Sequence, residues 1–319
     1  MIPGIPRISV YIITYNQEDV IERTLGSILS QRDYVYEICV SDDHSSDRTW
    51  EILQEYDKKF PGLFKLNRND PNLGIFENTE KVWSMPTGDI VHDLAGDDCV
   101  GEGWFKQVVD YIQENRIDYK NELFCIYGDY ICKYPNGDSI KMRNNLIQLN
   151  GGQFALKMAL RGIITNRSTC YSINILKKFK KVSQGRSHIA EDAQDRQLQI
   201  FSEKNYYIPY VGNIYYAYVG ISTHVDDNVL KERNLIRPYA FKLFEEWGVS
   251  MDKKDRFYSL VYFPVFNSVL FKPTFYNVIK LVVLYLKCYD SKIGLKAINI
   301  RSFVFAIRRR LPHKKPLVS

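Results

Sequence analysis

The sequence predicts an α/β protein: a mostly parallel sheet flanked by helices, followed by a C-terminal helical region. Three observations carry this. Short β-rich runs alternate with stretches of helical period from Ile8 to Leu94, the pattern of right-handed βαβ units. Beyond Val229 the strand pattern gives way to helical spacing almost to the terminus. Composition is ordinary for a globular chain, with 45% hydrophobic and 25% charged residues among 319, and excludes a disordered protein. The expected organisation is a sheet-bearing domain over residues 1–225 and a basic helical region over 226–319.

Ile8 to Thr14 reads as a buried strand, and Tyr15-Asn16 turns the chain into a helix expected from Glu18 to Gln31. Its apolar Ile21, Leu25, Ile28 and Leu29 recur at helical spacing, with acidic residues in the first turn. Glu37 to Ser41 is a second strand, and Asp47 caps a helix reaching Phe60 with Ile52, Leu53 and Tyr56 inward. Phe64 to Leu66, Phe76 to Ser84 and Ile90 to Leu94 continue as strand, helix and strand. A helix then runs to Asn115, followed by a strand from Phe124 to Lys133 and a turn at Pro135-Asn136-Gly137. Gly151-Gly152 opens a helix, Ser168 to Ile173 is a strand, a helix follows Asp192, and Tyr206 to Gly220 supplies one or two more strands.

Charge is distributed unevenly. From Ser250 onward the chain carries 14 Lys/Arg against 3 Asp/Glu, while the preceding residues carry 29 against 34. Past Asp290 there is no acidic residue. Ile300, Phe303, Val304 and Ile307 fall at one-face helical spacing, and Phe275, Val278, Ile279, Val282, Val283 and Leu286 make a broader apolar face. Basic residues near anionic lipid gain roughly 1 kcal/mol each. The expectation is therefore peripheral attachment to the inner face of the cell membrane, against the blander reading of packed helices with a solvated basic tail. No window reads as 18 consecutive apolar residues, no leader precedes Ile8, and the six cysteines lack paired spacing. A cytoplasmic chain with free thiols is expected.

Three acidic clusters carry the chemistry. Asp42-Asp43 (VSDDHSSDRT) and Asp97-Asp98 (LAGDDCV) each follow the carboxyl end of an expected strand, where open α/β sheets bind ligands. Carboxylates at the first could accept hydrogen bonds from a base N–H or ribose hydroxyls; Asp47 reads better as a helix cap. Asp97-Asp98 suits a hard divalent cation, which takes one or two carboxylates together with substrate phosphates. Gly96 would let the backbone approach a ligand closely. Glu191-Asp192 (HIAEDAQD) opens a helix and offers a general base; its alternative is an acidic first turn. Trp104 is expected in the core or in a pocket wall.

These segments resemble the family 2 glycosyltransferases of the GT-A fold. The resemblance runs through VYIITYNQEDVIERTLGSILSQ, EICVSDDHSSDRT, NLGIFENTEKVWSMPTGD, IVHDLAGDD and AEDAQDRQLQ, in the family's order over roughly residues 7–200. It implies an inverting transferase that takes a sugar from a nucleotide-diphospho-sugar, UDP-linked by expectation, with Mg²⁺ or Mn²⁺. The implied acceptor is a lipid-linked glycan in surface-polysaccharide assembly. Thr14, Tyr15 and Asn16 would line the nucleotide pocket, and Asp42 and Asp43 would contact base and ribose. Asn72, Gly74 and Asn78 would border the nucleotide. Asp97 would be the metal-side aspartate with Asp98 beside it, and Asp192 the base assisted by Glu191.

The chain departs from the family pattern twice. Ala95 stands where the family places an acid, leaving Asp93 as the nearest carboxylate on that strand. The Gln-x-x-Arg-Trp motif of polymerising members is absent after Asp192, so one sugar per event is expected. Three alternatives stay open: a nucleotidyltransferase, which lacks its Gly-rich basic loop here, a catalytically degenerate transferase-like protein, and a binding module using the basic tail. Nucleic acid is not an expected partner, because carboxylates at the sheet edge repel phosphate backbones.

Overall fold

In the computed structural model of the chain, the described residues are 5–143, 169–178 and 201–217, with positions 198, 249, 274–277, 279, 280 and 283. The chain divides into two compact units, Met1–Ala155 with Ile164–Val225, and Leu156–Ile163 with Asp226–Ser319.

The first unit is built on one sheet. Its strands are β1 (Ile8–Thr14), β2 (Val35–Asp42), β3 (Phe64–Arg68), β4 (Ile90–Ala95), β5 (Cys99–Val100), β6 (Phe124–Lys133), β7 (Ser139–Met142), β8 (Thr169–Ser172) and β9 (Lys204–Tyr216). Their order is β3-β2-β1-β4-β8-β6-β9-β5, with β7 on β6. Five helices are described: α1 (Ile21–Leu29), α2 (Thr49–Lys59), α3 (Ile75–Trp83), α4 (Trp104–Glu114) and α5 (Ile173–Leu176).

β1 is central because it is buried on both faces; Ile8, Val10 and Ile12 are inaccessible to solvent. Each such side chain contributes about 1.5–3 kcal/mol on burial. Parallel neighbours pair along it, β2 from Ile8↔Val35 to Thr14↔Asp42 and β4 from Ile8↔Ile90 to Ile13↔Ala95. The chain steps from β1 through β2 to β3 on one side, then returns to lay β4 on the other. That reversal opens a crevice at the carboxyl ends of β1 and β4.

The parallel character holds over β3-β2-β1-β4. Beyond it the sheet is mixed, with β8 antiparallel to β4 and β6 and β9 parallel to β6. β5 has no counterpart in the sequence reading, since two residues are too short to show alternation. β9 is one strand of 13 residues.

α1 buries Ile21, Leu25 and Ile28, and Thr24 with them. It starts at Ile21 rather than Glu18 because side chains hold the chain before it. Gln17 N donates to Thr49 Oγ1 at 2.8 Å, and Glu18 N to Asp47 Oδ2 at 3.0 Å. Trp104 is wholly buried at the start of α4 and lies against Gly128, where an added Cβ would meet its ring at 2.8 Å. It is a core residue. Five described cysteines are free thiols, four of them buried.

In the second unit, the described positions between 275 and 283 are helical. Phe275 and Tyr276 are 83% and 71% exposed, and Ile279 and Val283 are also open to solvent. Among the described residues no helix is long and apolar enough to cross a membrane. The expected helices after Gly151 and Asp192 lie outside the described residues.

Candidate functional site

Three strand ends meet at the crevice. Thr14 closes β1 in register with Asp42, and its carbonyl accepts from Asp43 N at 2.9 Å. On the other flank Gly96 N donates to Ile13 O at 3.2 Å. A Cβ on Gly96 would stand 2.1 Å from Gln17 Oε1 and 3.1 Å from Thr14 Cβ, so the two turns touch only because this residue is glycine. Thr14 thus lies between the Asp43 turn and the Asp97-Asp98 turn, and Thr14 Oγ1 is tied to Gln17 Oε1 at 2.7 Å. The rings and amides beside it are open: Tyr15 is 40% exposed, and Asn16 is exposed with a positive φ of 50°. Asn16 Oδ1 accepts from Ser46 N at 2.8 Å, which ties the turn after β1 to the turn after β2.

Asp42 is fully buried and faces the protein. Both Ser45 N and Ser45 Oγ donate to its carboxylate, the former at 3.0 Å, and Arg68 Nε lies 3.6 Å away. Burial pushes the Asp42 carboxyl above its ordinary value, with Ser45 and Arg68 opposing. The expectation of a base or ribose contact for Asp42 is corrected accordingly: no part of its side chain is accessible, and it shapes the Ser45 turn.

Asp43 organises the loop that follows β3. Its carboxylate accepts from Leu73 N at 2.9 Å, Gly74 N at 2.8 Å and Asn69 Nδ2 at 2.8 Å. Those amides precede α3, whose free N-terminal N–H groups favour a carboxylate. Gly74 sits at φ 86°, a conformation that side chains resist, where the chain turns into α3. Asn72 Nδ2 donates to the Asp43 carbonyl at 2.7 Å while the residue stays exposed. Asn78 is buried and bonds to Ser41 O and Asn69, so it supports the loop from behind rather than facing the crevice. Three of roughly four acceptor positions on the buried Asp43 carboxylate are taken by protein.

The second turn is held differently. Its main-chain carbonyls point at α1: Thr24 Oγ1 lies 2.8 Å from Gly96 O and 2.7 Å from Asp98 O, and Arg23 Nη2 donates to Asp97 O at 2.8 Å. Tyr216 N donates to Asp98 Oδ1 at 3.2 Å. Asp93 lies two residues deeper, in register with Tyr11. It adds its field to burial in raising the Tyr171 phenol well above its ordinary value. Among the described residues no group of three or more His, Cys, Asp or Glu could hold a metal ion. A cation here would rest on Asp97 and Asp98 and take further oxygens from substrate phosphates, a donor set that suits Mg²⁺ or Mn²⁺. Glu191 and Asp192 lie outside the described residues.

Sequence reasoning missed Asn69, Arg23, Thr24 and Tyr216. Thr24 had a signal, being a hydroxyl on the stripe of Ile21, Leu25 and Ile28. The others became visible only once β2, β3, α1 and β9 were assembled.

Residues 9–183, more than half of the chain, match the family description Glycosyl transferase family 2. The chain belongs to that family. An uncharacterised protein from Mycobacterium tuberculosis is 34% identical over 91 residues, 28% of this chain and 26% of that protein. The match thus spans about a quarter of the mycobacterial relative's length. Staphylococcus aureus TarP, a poly(ribitol-phosphate) β-N-acetylglucosaminyltransferase, is 27% identical over 217 residues, 63% of this family 2 chain and 60% of TarP. The crystal structure of S. aureus TarS residues 1–349 in complex with UDP-GlcNAc matches with a TM-score of 0.58 at 16% identity. It covers 92% of this chain and 82% of that one, a shared fold.

Proposed function

We propose that this family 2 chain moves one sugar from a UDP-sugar to a hydroxyl of a glycan acceptor in surface-polysaccharide synthesis. The observation that carries the reading is the meeting of Thr14, the Asp43-held loop and the Gly96–Asp98 turn at one strand-end crevice. The names of TarP and of the UDP-GlcNAc complex of TarS support the donor class.

In this reading Tyr15 and Asn16, exposed at the crevice, face the nucleotide, and Asp43 spends its remaining acceptor position there. Asn72 and Gly74 border it. Asp97, with Asp98 beside it, holds Mg²⁺ or Mn²⁺; when bound, the ion neutralises charge that grows on the diphosphate as its bond to the sugar breaks. Asp192, assisted by Glu191, removes the acceptor proton during in-line attack, which inverts the anomeric centre.

The second unit brings the enzyme to a lipid-linked acceptor on the inner face of the membrane. The exposed Phe275, Tyr276 and Ile279, and the excess of Lys and Arg beyond Ser250, support this. Vesicles containing anionic lipid should sediment the full chain at physiological salt, and neutral vesicles should not. Equal recovery in both supernatants removes the membrane clause.

The central test is a panel of UDP-, GDP- and dTDP-sugars with and without Mn²⁺, read as melting temperature and release of free nucleotide. A bound ligand raises stability with the logarithm of its concentration over its Kd. Stabilisation and turnover with a UDP-sugar that need Mn²⁺, and that Asp97→Asn removes, support the assignment. Metal-independent behaviour, or full turnover by Asp97→Asn, sinks the role of Asp97.

A further inference from the structure

The turn that carries Asp97 is fixed from behind by a residue with no part in the reaction outlined above. Three successive carbonyls, those of Gly96, Asp97 and Asp98, turn toward α1, and the middle one is taken by Arg23 Nη2 at 2.8 Å. The same guanidinium lies over the Tyr216 ring, its Cζ 3.6 Å from the centroid. Tyr216 in turn reaches the other carboxylate of the turn, its N–H donating to Asp98 Oδ1 at 3.2 Å. Arg23 therefore joins the two grips on the turn, one through main chain from α1 and one through β9.

Arg suits the place for physical reasons. Its charge is permanent and its fork is planar, so one face can stack on an aromatic ring while an edge N–H meets a carbonyl. The side chain is exposed and lines a groove of about 630 Å³ shared with Ser27, Tyr34, Cys99 and Tyr216. Truncating it removes the grip without opening a hole in the core. Thr24, buried on the same helix, would not allow that separation.

We propose that Arg23 is a positioning residue: by bridging the Asp97 carbonyl and the Tyr216 ring, it sets the direction in which Asp97 presents its carboxylate to a cation–diphosphate. The inference rests on the reading of Asp97 as the metal-side residue. Groups that orient a metal ligand without touching the metal typically change affinity or activity about 10–100-fold when removed. Arg23→Ala should therefore weaken Mn²⁺ binding in the presence of UDP by roughly 10–100-fold.

The experiment titrates Mn²⁺ into the full chain with UDP, following free Mn²⁺ by its electron paramagnetic resonance signal, alongside thermal melting. Wild type, Arg23→Ala, Arg23→Lys, Asp97→Asn and the neighbouring exposed control Glu22→Ala are compared. The expected result is weakened Mn²⁺ binding for Arg23→Ala at an unchanged melting temperature, partial recovery in Arg23→Lys, and no change in Glu22→Ala. Wild-type Mn²⁺ binding by Arg23→Ala, with Asp97→Asn defective, overturns the positioning role alone. A fall in melting temperature for Arg23→Ala that accounts for its lost binding overturns it as well, because the residue is then only structural. Wild-type binding by Asp97→Asn overturns the underlying reading of the site instead.

Discussion

Two acidic turns stand on the same sheet edge, and the protein uses them in opposite ways. In the turn after β2 the side chains are tied down: Asp42 by Ser45, and Asp43 by Leu73, Gly74 and Asn69. In the turn after β4 it is the backbone that is gripped, with the carbonyls of Gly96, Asp97 and Asp98 held by Arg23 and Thr24. The same Asp-Asp pair in sequence therefore does different work. Asp43 spends its charge building the loop before α3, whereas the second turn is gripped chiefly through its main chain, with the Asp98 carboxylate also held by Tyr216 N. The difference arises from neighbours: the loop before α3 presents N–H groups to Asp43, whereas α1 presents donors to the main chain of the second turn.

The largest effect that can break this contrast comes from Asp97→Asn. Turnover from the best donor should fall roughly 10²–10³-fold, the cost of losing one preorganised electrostatic contact in a transition state. Its melting temperature should fall less than that of Asp43→Ala, because the carbonyls of Gly96, Asp97 and Asp98 stay held from α1. Asp43→Ala should show the reverse emphasis. It strands two backbone N–H groups and the Asn69 amide, each costing about 1–3 kcal/mol when left unsatisfied. Urea unfolding should reveal a loss of several kcal/mol, with donor binding falling because the loop at residues 69–74 loosens. An Asp43→Ala protein as stable as wild type would erase the distinction between the turns.

A smaller effect sharpens it from the other end of β2. Glu37 is buried; its carboxylate accepts from Ser9 Oγ at 2.6 Å and Thr87 N at 2.5 Å and pairs with Lys65 Nζ at 2.6 Å. Burial alone would raise its carboxyl, but Lys65, Ser9 and Thr87 outweigh it and hold it below its ordinary value. The folded state thus binds fewer protons than the unfolded one. Its stabilisation is complete above the ordinary carboxylate range near pH 4.3 and is lost as pH falls through the lowered folded value. Glu37→Gln should cost about 1–3 kcal/mol at pH 7. The gap to wild type should narrow below pH 4.3. A gap that stays constant from pH 7 down to pH 3 in urea unfolding would show that the charge of Glu37 contributes nothing.

How much of this was legible varies element by element. β6 is found where its apolar run predicted, from Phe124 to Lys133, and the hairpin at Pro135-Asn136-Gly137 follows it. Asp47, expected as a helix cap, accepts from Thr49 N at 2.9 Å and from Glu18 N. The Asp47–Thr49 cap and β6 are local features, settled by side chains two residues apart and by a mostly apolar run. Asp42 was misread because burial cannot be seen in a polar string: VSDDHSSDRT looks equally solvated at every position. β5 was missed because two residues leave no period to detect.

Local patterning by itself determined the alternation of strands and helices, the buried character of β1, and the arrival of acidic pairs at strand ends, since period and turn chemistry are written within short windows. Tertiary structure alone decided which oxygens of those pairs remain available. That depends on whether the donors brought alongside come from α3, from α1 or from β9, and on β4 returning to the far side of β1. Hydrogen bonds spanning 30 to 118 residues, such as Leu73 to Asp43 and Tyr216 to Asp98, have no trace in any window short enough to read.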